Sequence, residues 1–379
     1  MSQEHSPQAL DYPEILAAED NAPVGVAEHL ISVIIPNYNG GATIRRCLDA
    51  VFASWYKRFE VIVVDDCSSD ASVDVVREFP CRLIQLDRRS GAARARNTGA
   101  RNSRGDILFF LDADCVMLEN TLKMVDKAVA GLDGEYAVIG GTYTRKPYDD
   151  SFYSSFQSVF VNYFEMKRGE RPDYIATHAL AIERRYFLES AGFREDFLPI
   201  LEDVEFSHRL RASGGRLVMS PDVLVRHIFG FSFTGSLRNA RRKSMYWAMY
   251  SMGNGDLFAD SGTASLALKV NGVTLFIGIF SVALALLLGT PAVALLGLVS
   301  LAANLFINRG LLAAFYETYG ALFSVGAALY YILIYPLPIW AGVIAGIYRH
   351  LASGAGRRPS GGKQKFSAGT LRVTPKEPC

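Results

Sequence analysis

Short runs of mostly apolar residues recur along the first third of the chain, and each of them ends in polar residues. The runs occupy residues 31–35, 59–64, 81–86 and 108–111. Each run is too short for a buried helix and is typical of a strand buried on both faces. Apolar residues at helical spacing follow the first run, at residues 45–52. Strand and helix alternate in this way, which predicts an α/β fold with a doubly wound, parallel sheet.

A different hydrophobic pattern begins after residue 270. Residues 275–288, 292–307 and 321–348 form three long apolar runs, and the only charged residues from 270 to 348 are Arg309 and Glu317. A bilayer-spanning helix needs about 20 apolar residues. We therefore expect residues 270–348 to be a membrane domain of two or three transmembrane helices.

Basic residues flank these apolar runs on both sides, which favours placing both flanks in the cytoplasm. An even number of crossings satisfies that arrangement, whereas three crossings do not. Pro336 and Pro338 can reconcile three apolar runs with an even number of crossings, because they can break the last run into a kinked or re-entrant element. The sequence thus predicts a multi-pass protein of the cell (inner) membrane with its other domain in the cytoplasm.

Composition divides the rest of the chain. Residues 1–29 are polar and contain no signal sequence, and we expect them and the basic tail at 349–379 to be disordered. Residues 30–235 are long enough for one core and form the predicted soluble domain. Residues 231–250, which lead into the linker at 236–269, have a basic first half and an aromatic, Met-rich second half, which suits a helix in the lipid headgroup layer. A solvated basic face is the alternative. A net charge of +1 argues against a nucleic-acid partner.

Two carboxylates follow the fourth apolar run, Asp112 and Asp114. On an extended backbone this spacing puts both side chains on the same side. Paired oxygen ligands of this kind suit Mg²⁺ or Mn²⁺ with substrate phosphates in the remaining positions. A solvated corner between strand and loop is the alternative.

The other strands end in polar residues as well. These clusters include Pro36, Tyr38, Asn39, Asp65 and Asp66. Ligands of a doubly wound sheet bind outside the carboxyl ends of its strands. The shared position of these clusters predicts a single site.

Residues 32–40, 63–70, 91–99 and 111–114 resemble the four opening motifs of the family 2 glycosyltransferases, and the resemblance covers roughly residues 30–235. It implies a GT-A fold with a doubly wound mixed sheet, and inverting transfer of a sugar from a nucleotide-diphosphate-sugar donor. The matching nucleotide-sugar-binding positions are Pro36, Tyr38, Asn39, Asp65, Asp66, Arg96, Asn97 and Asp112. In the same way, Asp112 and Asp114 match the metal-binding DxD motif, with Mg²⁺ or Mn²⁺ as cofactor.

Glu202 and Asp203 resemble the ED motif of that family. An inverting transferase needs a carboxylate close to the acceptor hydroxyl to act as general base, and we assign this role to Asp203, with Glu202 in orientation or acceptor contact. Acids favoured at a helix N-terminus are the alternative. His227 matches a position that approaches the metal in some relatives, and His178 departs from the small residues usual at its position, which suggests a role in sugar selectivity.

These expectations combine into a membrane-anchored, inverting, metal-dependent glycosyltransferase that acts on a lipid-linked or glycan acceptor. A processive polysaccharide synthase is one alternative, although the QxxRW signature of such synthases is absent. A non-catalytic membrane scaffold with the same fold is the other.

Overall fold

The computed structural model describes residues 28–132, 136–167, 169, 171–257 and 260–353. The predictions of disorder concern residues 1–29 and 349–379. Residues 1–27 and 354–379 of these segments lie outside the described part of the chain.

One eight-stranded sheet, in the order β3-β2-β1-β4-β7-β6-β8-β5, organises the first domain. Strands β1 to β4 run parallel to one another, but β7 lies antiparallel to both β4 and β6. Strand β6 is parallel to β8, and β5 is antiparallel to β8. The strands are β1 (Ile31–Asn37), β2 (Phe59–Asp65), β3 (Arg82–Gln85), β4 (Ile107–Leu111), β5 (Cys115–Met117), β6 (Ala137–Tyr143), β7 (Ala179–Glu183) and β8 (Arg216–His227).

The sheet is therefore mixed, as the family resemblance implied. The wholly parallel sheet expected from the strand–helix rhythm is wrong beyond β4. The alternation of strand and helix in the sequence covers only the first four strands. The direction of the later strands depends on how the chain returns to the sheet.

Within the described residues, eight α-helices accompany the sheet and four more follow. The first group is α1 (Ile44–Phe52), α2 (Ser72–Arg77), α3 (Ala92–Arg101), α4 (Thr121–Ala130), α5 (Phe152–Met166), α6 (Arg184–Glu189), α7 (Glu202–Ala212) and α8 (Phe233–Asn254). The second group is α9 (Leu266–Leu288), α10 (Ala294–Ile307), α11 (Arg309–Leu329) and α12 (Pro336–Ala352).

Strand β4 sits at the centre of the core, and all five of its residues are buried. Phe109 packs into the larger hydrophobic cluster, whereas Phe110 packs into the other cluster, against Phe187 and Phe193. This alternation is what a strand covered by helices on both faces requires. It delivers the residues after Leu111 to the carboxyl edge of the sheet.

The apolar segment contains two helices long and apolar enough to cross a bilayer, Leu266–Leu288 and Arg309–Ala352, and a shorter apolar helix at Pro291–Ile307. Pro336 and Pro338 were expected to be able to break the third apolar run, and the helix is interrupted there, between α11 and α12. The chain also departs from helical geometry just before that run, at Gly320, whose φ of 81° lies in the left-handed region that glycine adopts without strain. Pro336 opens α12 after a π-helical turn at Tyr330–Ile334, where its missing N–H is tolerated.

The predicted interfacial linker is helix α8, which already begins at Phe233. Arg241, Arg242 and Lys243 are exposed on it, whereas residues 248–251 in its second half are buried, including Met249 and Tyr250. Tyr250 packs in the cluster of Leu201 and Val204 beside α7, and the position of this helix in the headgroup layer stays a prediction.

Candidate active site

The two carboxylates after β4 lie in a turn and not on an extended strand. The N–H of Cys115 donates to the carbonyl of Asp112 at 3.0 Å, and β5 begins at Cys115. The turn sends the two side chains to different partners. Asp112 meets Arg96, whereas Asp114 faces His227.

Arg96 joins the two acidic motifs of the site. It projects from α3, its side chain is 5% exposed, and its guanidinium donates at 2.6 Å to both Asp112 Oδ1 and Glu202 Oε1. Burial opposes ionisation of Asp112, but the Arg96 charge outweighs it and lowers the pKa of that carboxyl. Two carboxylates separated by about ninety positions in the sequence are therefore held together by one cation.

Asp203 occupies the first turn of α7, next to Glu202. Its Oδ2 accepts a hydrogen bond from the N–H of Thr177 at 3.3 Å. Burial, with the charge of Glu202 as a second cause, raises the pKa of Asp203 to about 6. A carboxylate poised near neutral pH is suited to general-base chemistry.

Asp114, Cys115 and His227 bring their ligand atoms within 4.8 Å of one another. Cys115 and His227 are register partners on β5 and β8, and His227 Nε2 lies 3.5 Å from Asp114 Oδ2. Burial raises the pKa of Asp114 and lowers the pKa of His227. An imidazole kept neutral beside a poorly compensated carboxylate is a donor set that fits Mn²⁺ or another divalent cation.

The acidic pair after β2 is engaged within the protein. Asp65 is buried and accepts from Asn37 Nδ2 at 2.7 Å, and Asp66 accepts from the N–H of Gly91 at 2.7 Å. These bonds fix the loops at the carboxyl edge of the sheet. Contact of either carboxylate with a nucleoside stays a prediction.

The loop after β1 has one exposed aromatic ring. Tyr38 is 40% exposed, and the Arg89 guanidinium lies 4.0 Å from its ring centroid. Asn39 adopts a positive φ of 49°, and its Oδ1 accepts from the N–H of Ser69 at 2.8 Å. Pro36 is half-buried within β1. Of these three predicted nucleotide contacts, Tyr38 and Asn39 are exposed.

Asn97 positions the segment that leads to α7. Its side chain donates to the carbonyl of Phe193 at 2.7 Å and accepts from the N–H of the same residue at 2.9 Å, and it also donates to Glu195 at 3.0 Å. These bonds give Asn97 a role in shaping the site, and its contact with the nucleotide stays a prediction.

Two further residues lie near the site and were not predicted from the sequence, Tyr143 at the end of β6 and Glu165 on α5. Tyr143 stacks on His178 at 4.0 Å and meets the edge of His227 at 5.0 Å. Glu165 is the only acid in a helix otherwise made of aromatic, apolar and small polar residues. A single charge in an otherwise uncharged helix marks Glu165 in the sequence as a candidate functional residue.

Comparison with known proteins agrees with this geometry. Residues 32–191 match the family described as glycosyl transferase family 2. Glycosyltransferase AglE of Haloferax volcanii is 30% identical over 208 residues, which cover 52% of this chain and 66% of the relative. The Escherichia coli enzyme WfgD, a UDP-Glc:alpha-D-GlcNAc-diphosphoundecaprenol beta-1,3-glucosyltransferase, is 33% identical over 120 residues, 30% of this chain and 47% of the relative. The chain thus spans less than two thirds of either relative.

One solved structure resembles the whole described architecture. The mannosyltransferase PcManGT from Pyrobaculum calidifontis, in complex with GDP-Man and Mn²⁺, superposes with a TM-score of 0.52. The likeness covers 86% of this chain and 88% of that one at 20% identity. At this identity the likeness shows the fold alone, which is the mixed α/β fold of GT-A glycosyltransferases.

Proposed function

We propose that this chain, whose residues 32–191 form a family 2 glycosyltransferase domain, transfers a sugar from a nucleotide-diphosphate-sugar to an acceptor hydroxyl with inversion at the anomeric carbon. One observation carries the proposal. Arg96 holds the acidic turn at Asp112 next to Glu202 and therefore next to Asp203, a carboxylate whose pKa is raised to about 6. The proposed donor turn and the proposed base are thus neighbours.

The reaction requires a base on the face of the sugar opposite the leaving nucleotide. Asp203 accepts the proton of the acceptor hydroxyl while the acceptor oxygen forms its bond to the anomeric carbon. The bond from that carbon to the diphosphate oxygen breaks in the same step, and the nucleoside diphosphate leaves. Arg96 holds Asp112, on the donor side, at a fixed distance from Glu202, which precedes the base. This contributes to catalysis through orientation.

Asp114 and His227, with Asp112 beside them, would hold Mg²⁺ or Mn²⁺ at the donor diphosphate. When bound, the cation neutralises charge on the leaving nucleotide. The neutral imidazole of His227 and the otherwise weakly compensated carboxylate of Asp114 support this assignment.

We further propose that the protein is anchored in the cell (inner) membrane by several passes, with its catalytic domain in the cytoplasm. Large apolar side chains such as Leu286, Leu287 and Leu322 are at least 80% exposed. A surface of this kind suits contact with lipid. The name of the E. coli relative, which specifies a diphosphoundecaprenol-linked acceptor, supports a lipid-linked acceptor here.

Donor binding and transfer test the proposal in sequence. The detergent-purified full chain is titrated with UDP-, GDP- and dTDP-sugars in the presence of Mn²⁺ or Mg²⁺, and thermal stability is followed because a ligand of the native state must raise it. The donor that binds is then incubated with membrane lipid extract, and product masses are read. Addition of one sugar supports the proposal, a growing ladder indicates a polysaccharide synthase, and no stabilisation by any nucleotide sugar indicates a scaffold.

A further inference from the structure

The loop before β7 lies along the helix that contains the assigned base. Asp203, Ser207 and Arg211 are spaced four positions apart on α7 and therefore share one face of the helix. Residues 173–177 of the loop, which we call the contact segment, bind that face through alternate residues. The bonds are Thr177 N–H to Asp203 Oδ2 at 3.3 Å, Ile175 N–H to Ser207 Oγ at 3.0 Å, and Arg211 Nη1 to Asp173 Oδ1 at 2.8 Å. The position of the base thus depends on how the contact segment is held.

The turn that precedes the first apolar helix also binds the contact segment. This turn comprises residues 260–265, and its Ser261 hydroxyl donates to Asp173 Oδ2. Ser261 is 4% exposed, so the bond is shielded from water. Thr263 Oγ1 lies 3.3 Å from the hydroxyl oxygen of Tyr174. The contact segment is therefore bonded both to α7 and to the turn before α9.

Asp173 is the residue in which these contacts meet. His208 Nε2 lies 3.1 Å from Asp173 Oδ2, and His208 Nδ1 lies 2.7 Å from the hydroxyl oxygen of Tyr250 on α8. Burial opposes ionisation of Asp173, but the hydrogen bonds from His208 and Ser261 outweigh it and lower the pKa of Asp173 to about 2. Asp173 is therefore ionised at neutral pH, and its charge-assisted bonds fix one end of the contact segment.

We propose that the turn at residues 260–265 positions the general base through the contact segment. Asp173, Ser261 and Thr263 are the positioning residues. They keep the Thr177 N–H against the Asp203 carboxylate, so a change at the start of α9 alters the orientation of the base. This inference rests on the proposed glycosyl transfer, and it adds two residues of the turn that follow the part of the chain matched to the family.

Loss of this positioning has a specific electrostatic consequence. A hydrogen bond to an ionised carboxylate favours ionisation and lowers the pKa. Release of the contact segment weakens the bond from the Thr177 N–H and should raise the pKa of Asp203 above its present value of about 6. The other ionisable groups that act on Asp203 are Glu202, Arg96 and Tyr174, and all three are kept in every variant.

The double substitution Ser261→Ala and Thr263→Val removes both hydroxyls that the turn presents to the contact segment. The detergent-purified full chain is assayed with Mn²⁺, membrane lipid extract and whichever UDP-, GDP- or dTDP-sugar wild type turns over. We expect the acid midpoint of kcat to rise by about 0.5 pH unit or more, as for partial loss of a hydrogen bond to a charged group. On the acid limb this lowers kcat about threefold. Donor affinity, measured by calorimetry, should change less than about twofold.

Ser265→Ala is the matched control. The Ser265 hydroxyl belongs to the same turn and is 1% exposed, but it caps α9 by accepting from the N–H of Leu268 at 3.2 Å. Its loss should lower the thermal midpoint, as loss of a helix cap does, and leave the acid midpoint of kcat unchanged. At the half-buried position 263, Thr263→Val alone should raise the acid midpoint by less than the double substitution, and Thr263→Ser, which keeps the hydroxyl, should leave it as in wild type.

The results distinguish two kinds of failure. If wild type transfers sugar and its acid midpoint is shared by Thr263→Val and the double variant, or if Ser265→Ala raises that midpoint equally, the turn does not position the base. If wild type transfers no sugar from any of these donors, the proposed glycosyl transfer fails, and the positioning role fails with it.

Discussion

Asp114 and Asp112 are two positions apart, yet their surroundings differ. Arg96 compensates Asp112 at 2.6 Å, whereas Asp114 contacts the His227 imidazole at 3.5 Å and the Cys115 thiol at 3.9 Å. Asp114→Asn should therefore abolish metal-dependent donor binding and leave the fold intact, because no internal ion pair of the site is lost. Calorimetry with and without EDTA measures this, with Asp74→Asn on the exposed surface of α2 as control. Unchanged donor affinity in Asp114→Asn would contradict the metal assignment.

Asp203 is expected to act in the chemical step and hardly in donor binding. Asp203→Asn should lower kcat by on the order of a hundredfold or more, the usual range for loss of a general base, at nearly constant donor affinity. Glu202→Gln keeps an oxygen acceptor for Arg96 and should be milder. If the two substitutions have equally small effects, Glu202 and Asp203 act only as favourable charges at the N-terminus of α7.

The raised pKa of Asp203 also predicts a pH profile. The base works only when deprotonated, so kcat should fall about tenfold per pH unit below a midpoint near 6 and level off above it. The slope reports the protonated fraction of one carboxyl. Steady-state kinetics at saturating donor measures the profile, and the acid limb should disappear from the residual activity of Asp203→Asn.

Helix α8 depends on α12 through close backbone contact. A Cβ added at Gly342 would lie 2.3 Å from the carbonyl oxygen of Arg241, and one at Gly346 would lie 2.3 Å from that of Met245. Since backbone cannot give way as a flexible side chain does, Gly342→Ala should separate the helices and lower the thermal midpoint in detergent, at a cost of about 1–3 kcal/mol.

Gly278 on α9 supplies the matched control, because nothing lies within 4 Å of its added Cβ. Gly278→Ala should raise the midpoint or leave it unchanged, since alanine favours a helix over glycine by about 1 kcal/mol. The two substitutions are chemically identical. If both shift the midpoint in the same direction by the same amount, close approach of α8 and α12 does not matter for stability.

The first domain and the apolar helices are in closer contact than the change of composition between them suggests. Phe156 of α5 stacks on Phe315 of α11 at 5.3 Å, and Arg145 pairs with Glu317 at 2.8 Å. A fragment that ends at residue 235 would uncover Phe156 and Phe160, which are at most 2% exposed in the full chain. Newly exposed aromatic surface favours aggregation.

We therefore expect the 28–235 fragment to aggregate and to bind nucleotide sugar poorly. The double substitution Phe156→Ser and Phe160→Ser should make the fragment more soluble while destabilising the full chain. Size-exclusion chromatography of both forms measures the difference. A monomeric, donor-binding wild-type fragment would show that the domain folds without the apolar helices.

The sequence by itself determined the elements and the chemistry. Apolar runs predicted β1, β2 and β4 because a strand buried on both faces must be apolar throughout. Motif order predicted a family 2 glycosyltransferase domain, which the match over residues 32–191 supports, and a mixed sheet, which is confirmed. Each acidic residue of the site could be identified from the sequence, and so could each long apolar run.

Only the tertiary structure decided which of these residues meet. Arg96 lies between Asp112 and Glu202, and His178 lies against Glu165, through contacts between residues far apart in the chain. The turn at Asp112, where an extended strand was expected, was likewise mispredicted. Periodicity records which face of an element is buried, but not what is buried against it. That pairing follows from sheet order and helix packing, which no local pattern in the sequence contains.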